Sequence, residues 1–235
     1  MSLLEVENVS KRYREGQRER IVLKDVSLAV APGELVMVWG LRRSGRTTLL
    51  RILAGIEAPD TGVVRLAGRD LAEHGERTLG EGIGYVQKTL RADEEQGVLE
   101  QVTAPLLARG VDVRRAGELA RQALARAGGE RCAEMRVTEL GAGEAVRVAL
   151  ARTLAFSPTL LVIDEPAATV ELSERAEILA LMRTLVAEGV AVIASTGEPA
   201  ELAGAHRALT LGEGELRGPS TPELAPVVAL RRRGV

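Results

Sequence analysis

The segment Gly40-Leu41-Arg42-Arg43-Ser44-Gly45-Arg46-Thr47-Thr48 lies between an apolar run, residues 34–39, and a helical pattern, residues 47–54. It contains two glycines, followed by a cation and a hydroxyl. Glycines let backbone N–H groups wrap around phosphate oxygens, and the N-terminus of the following helix adds partial positive charge. The hydroxyl of Thr47 is a ligand that Mg²⁺ accepts. The segment therefore predicts a phosphate-binding loop, and the alternative is an ordinary turn between a strand and a helix.

One residue of this loop departs from the usual layout, which has lysine where this chain has Arg46. Arginine keeps the positive charge but is longer and planar, so it does not reproduce a compact ammonium between two phosphates. Only Lys11, Lys24 and Lys88 are lysines among the 31 basic residues, which indicates a strong bias toward arginine in this chain.

A second segment, Leu160-Leu161-Val162-Ile163-Asp164-Glu165-Pro166, is an apolar strand that ends in two acids. Beside a phosphate-binding loop, Asp164 can hold Mg²⁺ through water and Glu165 can accept a proton from an attacking water. The alternative is a plain helix start, which Pro166 would suit.

Around these segments, strand and helix patterns alternate, which predicts an α/β fold with a mainly parallel sheet. Two further helical patterns, broken near Gly110, interrupt this alternation over residues 98–127. The predicted strands cover residues 3–9, 20–30, 34–39, 62–66, 83–87, 160–163 and 190–194, and the other helices begin near residue 143 and cover 173–187.

Composition narrows the function classes. The chain has 235 residues, is 46% hydrophobic and carries a net charge of −2 with acids and bases interspersed, so we expect no nucleic-acid partner. No apolar stretch reaches the roughly 18–20 residues that span a bilayer. The alternation over residues 4–9 is strand-like and does not resemble an export signal. A single cysteine, Cys132, excludes an intramolecular disulfide and suits a reducing cytoplasm.

A third segment, Leu140-Gly141-Ala142-Gly143-Glu144, precedes a helical stretch that contains Arg147-Val148-Ala149-Leu150-Ala151-Arg152. Together with the two segments above, it resembles the ABC ATPases, whose signature reads Leu-Ser-Gly-Gly-Gln/Glu. The order and spacing of the three segments match that family, and the wording is closest to its lipoprotein-release and macrolide-export branch. The resemblance implies a P-loop NTPase core with a small antiparallel β region and a helical insertion. It divides the chain into a nucleotide-binding domain over residues 1–218, a helical subdomain at about 90–142 and a loosely ordered tail over 219–235.

The resemblance also assigns roles to individual residues. Tyr13 would stack on adenine, and Gln87 would touch Mg²⁺ and sense a membrane partner; the plainer alternatives are a surface tyrosine and a polar strand end. The phosphates would be bound by Gly40, Leu41, Arg42, Arg43, Ser44, Gly45, Arg46, Thr47 and Thr48 and, across a dimer, by Gly141, Ala142, Gly143 and Glu144 of the other chain. Mg²⁺ would be held by Thr47, Gln87 and Asp164, and Glu165 would be the catalytic base.

Several positions differ from the family pattern. Arg46 replaces lysine, and Arg43 stands where a further glycine is expected. Gly141 and Ala142 replace the serine and first glycine of the signature, which removes a hydroxyl and adds a methyl group. Gly197 occupies the place of a histidine that would contact the terminal phosphate. Glu171 stands where the family has aspartate. The two histidines of the chain, His74 and His206, do not replace the missing one and are expected to be solvent-exposed.

These residues predict the ATP-binding subunit of an ABC transporter that binds Mg-ATP and hydrolyses it weakly in its own site. We expect a heterodimer with a more complete ABC ATPase, docked through a transmembrane permease on the cytoplasmic face of the membrane. The alternative is a non-catalytic, nucleotide-gated dimerisation partner. A small-molecule kinase is disfavoured, because such an enzyme has no use for residues 140–144.

Overall fold

The computed structural model describes residues 2–16, 18–73, 82–87 and 96–218. His74, Lys88, residues 90–95 of the predicted helical subdomain and the predicted tail, 219–235, lie outside these ranges. The strands are β1 (Leu4–Glu15), β2 (Arg18–Val30), β3 (Leu35–Trp39), β4 (Thr61–Leu66), β5 (Arg69–Asp70), β6 (Ile83–Val86), β7 (Leu160–Ile163), β8 (Ala191–Thr196), β9 (Arg207–Gly212) and β10 (Glu215–Arg217). The helices are α1 (Arg46–Leu53), α2 (Val98–Leu107), α3 (Val113–Arg126), α4 (Ala142–Leu154) and α5 (Leu172–Ala187).

The strands form two sheets. Six strands make a sheet in the order β10-β9-β3-β8-β7-β6, in which every pairing is parallel except that of β10 with β9. Four strands make an antiparallel sheet in the order β2-β1-β4-β5. The predicted mainly parallel α/β core and the antiparallel region are both confirmed.

The parallel sheet is buried on both faces, and each face belongs to a different hydrophobic core. On β3, Leu35 and Met37 pack into one core while Val36 and Val38 pack into the other. The first core also contains residues of α2, α3, α4 and α5, and the second contains α1 and the antiparallel sheet. This double burial explains why β7 and residues 191–194 of β8 are continuously apolar and not alternating.

The helical insertion follows the predicted pattern closely. The two helical patterns correspond to α2 and α3, and Gly110 between them has a φ of 81°, a left-handed conformation that glycine adopts without strain. The apolar residues Leu119, Ala123, Leu124 and Ala127 recur at helical spacing; the last three are buried, and Leu119 is partly buried against the same core. Within the described ranges, no helix combines the length and apolarity that crossing a bilayer requires.

Three strand boundaries differ from the prediction by two or more residues, and β5, β9 and β10 were not predicted. The first strand continues past residue 9 to Glu15, and the second begins at Arg18, so that the two form a long antiparallel pair. The extension is mostly polar and its register shifts twice after Val9, so the alternation that marks a half-buried strand is lost there. The eighth strand likewise continues to Thr196, through two buried polar residues.

Candidate functional site

A cavity of about 1110 Å³ lies over the N-terminus of α1, at the carboxyl ends of β3, β7 and β8. This is the edge of a parallel sheet at which ligands of α/β proteins bind. Its wall contains the whole predicted phosphate-binding loop. The cavity is lined by Tyr13, Arg20, Val22, Gly40, Leu41, Arg42, Arg43, Ser44, Gly45, Arg46, Thr47, Thr48, Glu165, Ala168, Arg175, Thr196, Gly197, Glu198 and Glu201.

The two glycines of the loop are required by close packing. Gly45, the residue before α1, has a φ of 103°, and a Cβ there would lie 2.9 Å from the carbonyl oxygen of Val22 in β2. A Cβ on Gly40 would lie 2.6 Å from the carbonyl oxygen of Leu211 in β9. The loop is therefore fitted between the antiparallel and the parallel sheet. No side chain of the described residues caps α1, so its first N–H groups remain available to an anion.

Arg43, which stands where a further glycine was expected, adopts a left-handed backbone conformation with a φ of 65°. Such a conformation costs a non-glycine residue about 1–2 kcal/mol. The guanidinium of Arg20 donates a hydrogen bond of 2.9 Å to the carbonyl of Arg43 and holds it in place. The loop thus keeps a turn that favours glycine although the glycine is absent.

Asp164 is fixed by two hydroxyl groups. It is 5% exposed, and its Oδ2 accepts a hydrogen bond of 2.8 Å from Thr47 at the start of α1. Its Oδ1 accepts a bond of 2.6 Å from Ser195 of β8. The Oγ of Ser195 in turn accepts the backbone N–H of Glu165 at 3.0 Å. One serine therefore holds the side chain of the first acid and the backbone of the second.

The predicted base, Glu165, forms an ion pair with the loop arginine. Nη2 of Arg46 lies 2.5 Å from Oε1 of Glu165, and the two side chains are only 8% and 16% exposed. The backbone of Glu165 has a φ of 45°, in the left-handed region.

The other terminal nitrogen of Arg46 lies beside Gly197. Nη1 is buried and has no hydrogen-bond partner among the described residues. A Cβ on Gly197 would lie 3.4 Å from this nitrogen. Gly197 itself is held through its carbonyl, which accepts a bond of 3.2 Å from the indole of Trp39. Arg46 therefore fills the space between Glu165 and Gly197.

The predicted adenine-stacking residue, Tyr13, lines the cavity, and its hydroxyl is engaged. It donates a hydrogen bond of 2.5 Å to Glu57 and lies 3.3 Å from the hydroxyl of Thr48. Burial, and then the bond to Glu57, raise the pKa of the Tyr13 phenol. The ring therefore stays neutral and in a fixed position at the mouth of the loop.

Gln87 and the signature segment do not line this cavity. Gln87 is exposed and follows β6, whose Val86 pairs with Ile163, so it ends a strand next to the one that carries Asp164. In the same strand, burial and then the negative charge of Asp164 raise the pKa of Tyr85 to about 12.

Residues 141–144 begin α4, where Gly141 donates its N–H to Glu144 at 2.9 Å. A Cβ on Gly143 would lie 3.0 Å from both carboxylate oxygens of Glu174 in α5, so a side chain there would require that carboxylate to move. The methyl group of Ala142 is accommodated at the first residue of the helix. The segment forms a helix N-terminus outside the cavity of its own chain.

Four residues that were not predicted from the sequence help to build the site. Ser195 is fully buried and holds both acids. Thr196 donates to the buried Glu201 at 2.6 Å, and Arg175 of α5 approaches the other oxygen of Glu201 at 3.5 Å. The available signal was the polar pair Ser195-Thr196 at the end of an otherwise apolar strand. His206 plays no part in the cavity, because its Nδ1 accepts the backbone N–H of Leu35.

The oxygen groups around Asp164 suit Mg²⁺. This ion typically takes one or two protein oxygens together with water and phosphate oxygens, and Thr47 and Asp164 supply two that already lie 2.8 Å apart. Among the described residues, no group of three or more His, Cys, Asp or Glu side chains could hold a metal alone. The donor set therefore fits a cation that arrives with a phosphate ligand.

Comparison with known proteins gives one consistent result. Residues 23–168 match the family model described as ABC transporter. The chain is 40% identical to the lipoprotein-releasing system ATP-binding protein LolD of Chromohalobacter salexigens over 91% of this chain and 92% of that protein. It is 30% identical to the macrolide export ATP-binding/permease protein MacB of Salmonella choleraesuis, covering 92% of this chain and only 34% of the longer MacB. Among solved structures, the dimeric ATP-binding cassette MJ0796 bound to ADP and Pi superposes with a TM-score of 0.82 at 26% identity, over 91% of this chain and 96% of that chain.

Proposed function

Because the chain belongs to the ABC transporter family, we propose that it is the ATP-binding subunit of a transport complex of the lipoprotein-releasing type. It binds Mg-ATP in the cavity over α1 and uses nucleotide-driven dimerisation to act on a transmembrane permease subunit. This places it on the cytoplasmic face of the membrane, as a peripheral subunit without nucleic-acid partners.

The observation that carries this proposal is the arrangement at the end of the parallel sheet. The Gly40–Thr48 loop, the hydroxyl of Thr47 bonded to Asp164, and Glu165 lie together in one cavity. Loop amides and the N-terminus of α1 attract phosphates, and Thr47 and Asp164 hold the Mg²⁺ that accompanies ATP, with Gln87 near the same sheet edge. A bound Mg²⁺ would offset negative charge on the phosphate oxygens.

Hydrolysis in this chain's own site is weak in this proposal, because its base is engaged. Glu165 must accept a proton from water, but Arg46 binds its carboxylate at 2.5 Å. ATP must draw the guanidinium away from Glu165 before the base becomes available. Gly197 offers no side chain to the transferring phosphoryl group, so a polar contact of the kind on which this chemistry depends is missing there.

The dimer is asymmetric in this proposal. In a closed ABC dimer, each nucleotide would lie between the phosphate loop of one chain and the signature of the other. The site that uses the phosphate loop of this chain retains nucleotide. The other site combines a partner's lysine and histidine with Gly141, Ala142, Gly143 and Glu144 of this chain and carries most hydrolysis. A heterodimer with a more complete ABC ATPase follows from this division of roles.

Calorimetry and turnover measurements test the proposal in two stages. The folded chain should bind Mg-ATP, and failure to bind at millimolar concentration would contradict the assigned site. In the complex reconstituted with its partner and permease, replacing the partner's phosphate-loop lysine with alanine should abolish turnover. Arg46→Ala here should lower turnover only a few fold. Equal loss in both variants, or transport by a homodimer of this chain, would rule out the asymmetric arrangement.

A non-catalytic dimerisation partner is the second candidate, and the Arg46–Glu165 ion pair favours it. If the pair persists in the closed dimer, Glu165 never acts as a base. Turnover of the complex with Glu165→Gln then equals that of the wild type. A severalfold fall in the same experiment supports residual hydrolysis in this site.

A further inference from the structure

We propose that Arg46 and Gly197 act as one unit: the Arg46 guanidinium occupies the space that a side chain at position 197 would need, and its Nη1 binds the terminal phosphate of ATP. The inference rests on the proposed function, namely ATP binding in this cavity. It adds that Arg46 alone makes the phosphate contacts that the family divides between a lysine at position 46 and a histidine at position 197.

The backbone does not require glycine at position 197. Its φ is not among the positive values, so its conformation is open to any L-residue. Among the described residues other than its chain neighbours, only Arg46 has atoms within 4 Å of a Cβ at this position, Nη1 at 3.4 Å and Nη2 at 3.7 Å. A Cβ alone would fit at contact distance, but a larger side chain directed toward Arg46 would displace the guanidinium.

Nη1 is a donor that needs an acceptor. Arg46 is 7% exposed, and its other terminal nitrogen is bound to Glu165, whereas Nη1 is buried without a partner among the described residues. A buried N–H group that has lost its water and has no acceptor destabilises the protein. A hydrogen bond to an anionic oxygen offsets this cost more than a bond to a neutral acceptor does. Both Arg46 and Gly197 line the cavity, so an anion bound there would lie next to the guanidinium that carries this nitrogen.

The position identifies which phosphate is bound. Glu165, the proposed base, must lie beside the phosphoryl group that water attacks, which is the terminal one. Because Arg46 contacts Glu165 directly, its guanidinium lies at that same end of the nucleotide. ADP lacks this group, so the Arg46–Gly197 unit should distinguish ATP from ADP.

The test is a double-mutant cycle on nucleotide affinity, measured by calorimetry with ATP and with ADP. We expect Arg46→Lys to weaken ATP binding roughly tenfold, the loss of one ionic hydrogen bond, and to change ADP binding much less. Gly197→His in the wild-type background should also weaken ATP binding roughly tenfold, because the imidazole displaces the guanidinium. In the Arg46→Lys background, the same substitution should leave ATP affinity unchanged or increase it.

A matched glycine–arginine pair outside the site provides the control. A Cβ on Gly117 of α3 would lie 3.7 Å from Nη1 of Arg121, but neither residue lines the cavity. Gly117→His and Arg121→Lys should show no coupling in nucleotide affinity. If Gly197→His prevents folding, Gly197→Val extends beyond the Cβ and should still weaken ATP binding in the wild-type background alone. Gly197→Ala adds only a Cβ at contact distance, 3.4 Å from Nη1, and should change ATP binding little.

The outcomes separate the two proposals. Additive effects of the substitutions at 46 and 197, or equal changes for ATP and ADP, would overturn the Arg46–Gly197 unit while leaving ATP binding intact. Absence of ATP binding to the folded wild-type chain would overturn the proposed function itself.

Discussion

The hydroxyl of Thr47 donates a hydrogen bond of 2.8 Å to Oδ2 of Asp164 and so joins the first turn of α1 to the end of β7. Thr47 belongs to the phosphate-binding loop, and Asp164 to the acid pair that follows a strand far along the chain. The bond holds two oxygen groups together at the point where a phosphate-bound cation would enter. The carboxylate is kept in place by Ser195 on its other side.

We expect Thr47→Val to remove the dependence of ATP affinity on Mg²⁺. Valine keeps the branched shape but has no oxygen to offer the cation or Asp164. In wild type, withdrawing Mg²⁺ with a chelator should weaken ATP binding about tenfold or more, the loss of one or more ionic contacts. In Thr47→Val, calorimetry should give similar affinities with and without Mg²⁺. Thr47→Ser keeps the hydroxyl and should retain the dependence; if it does not, the hydroxyl is not the relevant group.

Glu165→Gln should lower the free energy of unfolding of the nucleotide-free chain by about 1–3 kcal/mol, because it leaves the buried guanidinium of Arg46 without its anionic partner. Urea unfolding measures this change. Saturating Mg-ATP should narrow the difference from wild type, since phosphate takes over the guanidinium.

The control is the same substitution in a surface ion pair. Glu188 lies 2.6 Å from Arg126, but both side chains are more than a third exposed, so Glu188→Gln should cost at most about 1 kcal/mol. An equal or larger loss for Glu188→Gln would show that burial does not strengthen the Arg46–Glu165 pair.

Gly45→Ala should destabilise the chain more than Gly68→Ala. Both glycines have positive φ values, 103° and 79°, so alanine is strained at either position. A Cβ on Gly68 meets nothing within 4 Å, and the expected cost is the backbone strain, about 1–2 kcal/mol. A Cβ on Gly45 also meets Val22 at 2.9 Å. Denaturant unfolding should rank the two variants in this order, and only Gly45→Ala should abolish ATP binding. Equal losses of stability would mean that Val22 moves aside at no measurable cost.

The thiol of Cys132 should react slowly in the native chain. It is 2% exposed, and burial, followed by the negative charge of Glu144, raises its pKa, so little thiolate forms at neutral pH. Labelling with iodoacetamide should be at least about tenfold slower in buffer than in urea, equivalent to an opening free energy of about 1.4 kcal/mol. Because the folded pKa is raised, the native rate should still be increasing above pH 9, where the unfolded chain has begun to level off. Equal native and denatured rates would show that the core around α3 and α4 is open.

The local signals in the sequence were strong enough to predict most of the fold. Apolar runs such as 160–163 and the helical spacing of Ala123, Leu124 and Ala127 correctly indicated elements that the structure contains. The polar extension of β1 to Glu15 could not be predicted, because two register shifts after Val9 leave no regular alternation there. Its partner strand stabilises it, and pairing across a hairpin is not visible in the residues of one strand alone.

The composition of the site was likewise predictable, but its internal connections were not. The loop and the acids were identified from spacing and residue type, and Tyr13 from the family resemblance; all except Asp164 line the cavity. In the sequence, Arg46 and Gly197 are two unrelated departures from the family pattern. In the structure they are neighbours, because a Cβ at position 197 would already touch the Arg46 guanidinium. Ser195 was missed because polar residues often end a buried strand. Only the structure shows that its hydroxyl contacts the Asp164 carboxylate and the Glu165 backbone N–H.

The fit of the phosphate-binding loop between Val22 and Leu211 has a consequence for biosynthesis. Gly45 packs against Val22, near the start of the chain. Gly40 packs against Leu211, near the end of the described residues. During translation, β9 emerges from the ribosome only after nearly all other strands have been made. The loop therefore lacks one of its two supports for most of synthesis, and nucleotide cannot assist the earliest folding steps. A chain truncated before β9 should form the antiparallel sheet of β2, β1, β4 and β5 but should lack an assembled nucleotide site.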